Sequence, residues 1–222
     1  MSSKKISIPP KSEFDRAVEI LSRLKKEYPS VKIALDFSSP FQLLIATILS
    51  AQCTDARVNI VTKTLFKKYK SPKDFIKVPN EELEKDIYST GFYKQKTKSI
   101  KSCCQTLLND YSAEVPADFD KLVALPGVGR KTASVVAGNA FNIPAIAVDT
   151  HVKRLSNLLG FINSDDPEKI EIRLKELFPK KDWIISSHYL ASHGRKICIA
   201  RKPHCLQCVI GDLCPSFNPN NE

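Results

Sequence analysis

Apolar residues recur at helical spacing through most of the chain. Between Ser12 and Tyr28, the residues Phe14, Val18, Ile20, Leu21 and Leu24 fall mostly on one helical face, and Ser12 and Asp15 have the spacing of a capping box. A second helix is predicted after Ser39, with Pro40 at its first position, running through FQLLIATILSAQ. It is apolar on nearly every side, the pattern of a central buried helix. Further helices are predicted at about 54–69, 71–78, 80–88, 93–111, 118–124, 129–141, 150–159, 167–178 and 182–197. No stretch alternates with a two-residue period, so no sheet is required. Short helices joined at Pro, Ser, Thr and Asp predict an all-α fold. The final PSFNPNNE reads as a disordered tail.

The chain has 222 residues, enough for one large domain or two small ones with a hydrophobic core. Its 34 Lys and Arg outnumber 24 Asp and Glu, for a net charge of +10 and a pI of 9.2. That balance points to a polyanionic partner, nucleic acid first, with a solvated basic surface as the alternative. No segment approaches the ~20 apolar residues that span a bilayer. The opening MSSKKISIPPKS has no apolar core, so it is expected to be a short flexible tail and not a secretory signal. These features predict a cytoplasmic, nucleoid-associated protein with no membrane partner. Thiols stay reduced there, so the seven cysteines call for an explanation other than disulfides.

Four of them, Cys198, Cys205, Cys208 and Cys214, are spaced C-x6-C-x2-C-x5-C. Thiolates so close in sequence can converge on one metal centre, and the spacing suits either zinc or a four-iron cluster. Cys53, Cys103 and Cys104 lie in predicted helices and read as small core or surface residues. The loop IARKPH holds Arg201 and Lys202 between the first two cysteines, as a phosphate clamp or as a solvated turn.

A second constellation is Leu125-Pro126-Gly127-Val128-Gly129 between two apolar helices. Two glycines there allow close backbone approach and expose amides at the start of the next helix, an anion site or an ordinary tight turn. Lys131 follows in the first turn of that helix. The helix dipole and Arg130 both disfavour a protonated amine there, and partial burial would add to this, which is what a Schiff-base lysine requires. A surface lysine on a phosphate is the simpler reading. In Val148-Asp149-Thr150-His151, Asp149 is placed to cap a helix and could also stabilise positive charge at a sugar. His151 reads as a packed or capping histidine.

LPGVGRKTA, then VDTH, then the four cysteines together resemble the endonuclease III family, bifunctional DNA glycosylase/AP lyases of the helix-hairpin-helix superfamily. The similarity runs from about Asp36 to Cys214. It implies two helical lobes, a six-helix barrel with the helix-hairpin-helix at 33–143 and an iron–sulfur lobe built from 1–32 plus 144–222. It implies a [4Fe-4S] cluster on the four cysteines, Lys131 as the nucleophile that attacks C1′ of the damaged nucleotide, and Asp149 as the catalytic aspartate. Gln52 matches a residue that fills the gap left by the flipped nucleotide. Phe92 stands at a wedge position where the family often has leucine. Without the resemblance, Gln52 is a polar residue at a helix end and Phe92 a core aromatic. Gly127, Gly129, Arg130, Arg201 and Lys202 are the remaining expected DNA contacts. The implied substrate is damaged double-stranded DNA carrying oxidised pyrimidines or abasic sites, cut by β-elimination by a monomeric enzyme. A monofunctional glycosylase of the same superfamily and a non-catalytic, metal-stabilised DNA-binding protein are the alternatives. Lys131 argues against the first, and also against the adenine-mismatch branch, which lacks it.

Overall fold

The structure, a computed structural model, describes residues 12–220. The expected N-terminal tail before Ser12 lies outside them. Among the described residues there are eleven α-helices and no strand: α1 Glu13–Glu27, α2 Pro40–Leu49, α3 Asp55–Lys68, α4 Pro72–Lys77, α5 Asn80–Ile87, α6 Tyr93–Asp110, α7 Phe119–Ala124, α8 Arg130–Phe141, α9 Thr150–Leu158, α10 Pro167–Leu177 and α11 Trp183–Lys196. The all-α expectation holds. None of these helices is long and apolar enough to cross a membrane.

The helices begin where the sequence places cap residues. Ser12, Ser39, Thr54, Asp118 and Asp166 each accept a hydrogen bond from a first-turn amide through the side chain. Asp74 returns to the Ser71 amide at 2.9 Å, closing a capping box on α4. Pro40, Pro72 and Pro167 occupy first-turn positions where a missing N–H costs nothing.

The chain divides into two compact units. One is Lys32–Ala147 and holds α2 to α8. Its centre is α2, where seven consecutive residues from Leu43 to Leu49 are buried. Helices α3, α6 and α8 pack around it, and α4 and α5 pack on α6. The prediction of a central helix apolar on all sides is met, but the helix ends at Leu49, not Gln52. Ala51-Gln52 form a turn instead, with Gln52 in the left-handed region at φ 53°.

The other unit joins the described residues up to Val31 with those from Val148 onward. In it α1 packs on α10 and α11, and α9 packs on both of these. Ala17, Ile20, Leu21 and Leu24 form the buried face of α1, whereas Phe14 is exposed. The tail expected to be disordered turns back as far as Phe217, whose amide bonds to the Cys214 carbonyl at 3.1 Å.

The burial of α2 makes a quantitative expectation. Leu44→Ala should lower the unfolding free energy by about 2–5 kcal/mol in chemical denaturation, because a fully enclosed side chain leaves a cavity. Ile60→Ala on α3, a site 61% exposed, should stay within about 0.5 kcal/mol.

Candidate active site and metal centre

The hairpin that precedes α8 is built around Gly127. Its φ is +76°, and a Cβ added there would meet the Ser99 Cβ at 2.6 Å, so both conformation and space call for glycine. Gly129 has an ordinary extended φ and open space around it. It is the N-cap of α8, and no side chain caps that end. First-turn amides of a helix without a side-chain cap suit an anion. Arg130 stacks over the Phe119 ring at 5.3 Å. Lys131 is exposed, so the partial burial expected for it is absent. The side chain stands where a bulky polyanion can reach it.

Asp149 caps α9 as the sequence suggests: Oδ1 accepts from the His151 amide at 2.9 Å and the Val152 amide at 2.8 Å. Two amide donors fix the carboxylate and leave its other oxygen to the surroundings. His151 is half-buried against Gly194 of α11, where an added Cβ would sit 3.0 Å from the histidine Cβ. It is a packed histidine. Lys131 belongs to the unit Lys32–Ala147, and Asp149 is the second residue of the later stretch, from Val148, of the other.

Gln52 and Phe92, both in the unit Lys32–Ala147, are exposed and left-handed. Phe92 is 63% exposed, which overturns the reading of it as a core aromatic. Cys103 and Cys104 are fully buried in α6, as expected of small core residues. Cys53 is half-buried and lies beyond the end of α2.

The four clustered cysteines lie on a chain of tight turns after α11. Cys208 N bonds to Cys205 O, Gly211 N to Cys208 O and Cys214 N to Gly211 O, each at 3.1 Å. All four line one cavity of about 110 Å³, walled by apolar side chains including Leu155, Leu158, Ile210 and Phe217. A single zinc ion draws its sulfurs to ~2.3 Å of one point. Among the described residues no three His, Cys, Asp or Glu side chains form such a site. Four thiols lining one largely apolar cavity fit a larger, sulfur-ligated group. Burial pushes the Cys208 thiol up to about 11 and raises Cys198 and Cys214 as well. Left alone these thiols hold their protons, so thiolates form as a metal cation binds.

The sequence reading missed the side chains that hold this loop. Arg154 of α9 donates to the carbonyls of Gly194 and Cys198. Arg16 of α1 donates to Leu159 O at 2.8 Å and Leu213 O at 3.0 Å. Arg23 donates to Val209 O at 3.2 Å and to Asp212 at 2.6 Å. Buried His193 lies between Tyr28, whose hydroxyl is 3.0 Å from Nδ1, and the Cys208 sulfur, 3.4 Å from Nε2. Arginines spread through a helical sequence carry no mark that distinguishes carbonyl clamps from surface cations. Arg201 and Lys202 are exposed on the loop between Cys198 and Cys205, which the His204 amide closes onto Ile197 O at 3.0 Å.

Two outcomes follow from this geometry. Gly127→Ala should cost more than about 1 kcal/mol of stability, whereas Gly129→Ala should be nearly neutral, as read by thermal unfolding. Burial holds His151, His188 and His193 below the ordinary imidazole value of 6.5, His193 at about 4. The unfolded chain then binds more protons below that value, so stability is full above about pH 6.5 and falls as pH drops toward 4. His188→Gln should make the fall in melting temperature shallower; an unchanged slope would exclude His188 from it.

A family model of HhH-GPD superfamily base excision DNA repair proteins matches residues 45–180, and one of the iron-sulfur binding domain of endonuclease III matches residues 198–214. The chain is 48% identical over 206 residues to endonuclease III of Synechocystis sp., covering 92% of this chain and 94% of the relative. It is 49% identical to endonuclease III of Bacillus subtilis (87% and 89% covered) and 43% identical to that of Escherichia coli K12 (90% and 94%). The solved structure of a trapped endonuclease III–DNA covalent intermediate superposes with a TM-score of 0.89 at 47% identity, covering 92% of this chain and 96% of the other. A thermostable thymine-DNA glycosylase superposes with a TM-score of 0.82 at 26% identity, covering 91% and 96%. The chain thus belongs to the endonuclease III family: it is a base-excision DNA repair enzyme, a DNA glycosylase/AP lyase that carries a [4Fe-4S] cluster.

Proposed function

We propose that the chain removes oxidised and ring-saturated pyrimidines from duplex DNA, with Lys131 as nucleophile and Asp149 beside the sugar, and that it acts as a monomer. The observation that carries this reading is Lys131 itself, exposed in the first turn of α8 directly after the Gly127–Gly129 hairpin. The hairpin amides hold a phosphate of the damaged strand, and the lysine lies within one helical turn of them. The relative solved as a trapped covalent DNA intermediate supports a covalent route.

The Lys131 amine attacks C1′, the bond from C1′ to the base breaks, and the base leaves with a proton. Asp149 stabilises the positive charge that develops at the sugar. The sugar ring then opens, the C1′–O4′ bond breaking as O4′ takes a proton, and the resulting iminium acidifies C2′. Loss of a proton there expels the 3′ phosphate, and water then releases the sugar remnant and frees the lysine. Gln52 and Phe92 enter the base stack as the lesion flips out, a displacement costing a few kcal/mol and least for a damaged base. Arg130, Arg201 and Lys202 contact phosphates. Cys198, Cys205, Cys208 and Cys214 ligate the cluster, which when bound cross-links the loop that carries Arg201 and Lys202. The unit Lys32–Ala147 serves as the helix-hairpin-helix domain, and the segments on either side of it as the iron–sulfur domain.

Borohydride trapping on an abasic-site duplex tests the nucleophile. The parent protein should give a covalent adduct, and Lys131→Ala should give none while still binding DNA; an adduct persisting in that variant would overturn the assignment. Asp149→Asn keeps an oxygen to cap α9 and loses only the charge. It should leave the melting temperature near that of the parent and slow base removal by at least about 100-fold.

A further inference from the structure

The sequence TGFYKQKTK contains three lysines at alternate positions, and one of them is not on the surface. Lys94 and Lys98 are exposed, whereas Lys96 is 5% exposed. Its Nζ donates to Leu49 O at 2.7 Å and to Thr90 O at 2.8 Å. Its own backbone amide donates to Phe92 O at 3.0 Å. One residue therefore ties together the last turn of α2, the end of the 3-10 turn Tyr88–Thr90 and the entry to α6.

Those three points flank the two exposed residues assigned above to the base stack. Gln52 lies three residues past Leu49, and Phe92 two residues past Thr90. Both hold left-handed backbones, φ 53° and φ 48°, that side chains larger than glycine adopt at a cost. Such conformations persist only where the surroundings fix them. The Lys96 ammonium is the tether that reaches the backbone before both.

Lys96 is not there for its own helix. A cation in the first turn of α6 opposes the helix dipole. Burial also lowers its proton affinity from the ordinary lysine value, with Cys53 opposing. The two bonds survive that shift, because a neutral amine still offers two N–H donors. The cost of burying it is offset by Leu49 O, a carbonyl at a helix C-terminus, and by Thr90 O, both of which would otherwise be buried against an apolar side chain.

We infer that Lys96 is a positioning residue that sets the Gln52 and Phe92 loops in register, so that both enter the DNA stack together. The inference rests on the assignment of those two residues as stack-entering groups. It predicts a defect that depends on base pairing, because an abasic site in single-stranded DNA needs no loop to open it.

The test compares Schiff-base trapping on an abasic site in paired duplex with trapping on the same site in a single strand. In Lys96→Met the ratio of duplex to single-strand rates should fall by at least about tenfold, the loss expected when buried carbonyls are left without donors. Lys96→Arg, which keeps donors for both carbonyls, should recover most of the ratio. A 2-aminopurine base placed opposite the site should brighten on binding of the parent protein and far less on binding of Lys96→Met. An unchanged ratio, however low the two rates, would overturn the inference and leave Lys96 as a stabilising residue only. Should Lys96→Met fail to fold, Lys96→Gln, a shorter neutral donor, decides by the same ratio. Gln52→Ala and Phe92→Ala run alongside. If they lower the ratio and Lys96→Met does not, the inference alone fails; if neither lowers it, the assignment of the two loops fails first.

Discussion

A helix that ends inside a protein leaves its last carbonyl oxygens without amide partners, and each one buried without a donor is costly. In this chain cationic side chains fill many of those places. Lys96 donates to Leu49 O at the end of α2, and Lys101 to Val78 O at the end of α4. Arg16 donates to Leu159 O at the C-cap of α9, and Arg154 to Gly194 O in the last turn of α11. The short helices can stop abruptly because long basic side chains from neighbouring helices reach their ends. Loops that must carry function are thereby fixed from below while their tips stay exposed.

That constraint changes the meaning of the net charge of +10. A count of basic residues treats every lysine and arginine as a possible phosphate contact. Part of the excess is structural, with buried or half-buried cations facing carbonyls inside each unit. The cations that remain exposed are fewer than the total; among them are Lys131 in the first turn of α8 and Arg201 with Lys202 on the cysteine loop. Family membership, not the charge total, is what makes DNA the partner.

Most of the helical layout was legible because it depends on local chemistry. Apolar period and cap residues belong to neighbouring positions in the sequence, and all of α1 to α11 except α6 and α8 start directly after a Ser, Thr, Asp or Pro. The errors come where a tertiary contact outweighs local preference. Ser50, Ala51 and Gln52 can continue a helix, yet α2 ends at Leu49, where Lys96 meets the carbonyl from 47 residues away. Phe92 has the composition of a core residue, yet a left-handed backbone lifts it to the surface. Lys131 stands out by its place after the glycines, but only the family resemblance sets it apart from an ordinary surface lysine. His193 and the arginine clamps left no trace in the sequence, since nothing in the residue type separates them from their exposed counterparts.

The cysteine loop shows the same logic at its limit. Its turns are single i to i+3 bonds, each weak alone, and its walls are apolar groups around a space lined by sulfur. Gly211 permits the Phe217 ring to lie where a Cβ would be, 2.9 Å from ring carbons, so the loop closes on its own tail. Arg16, Arg23 and Arg154 fix its carbonyls from α1 and α9. Protein bonds alone leave four thiols lining one cavity. A cluster ligated by all four, as proposed, would supply bonds to each at once and so couple its binding to the order of this loop. The Arg201–Lys202 turn lies inside that loop. Under the roles proposed for Arg201 and Lys202, the cluster would bear on DNA contact through the backbone it holds.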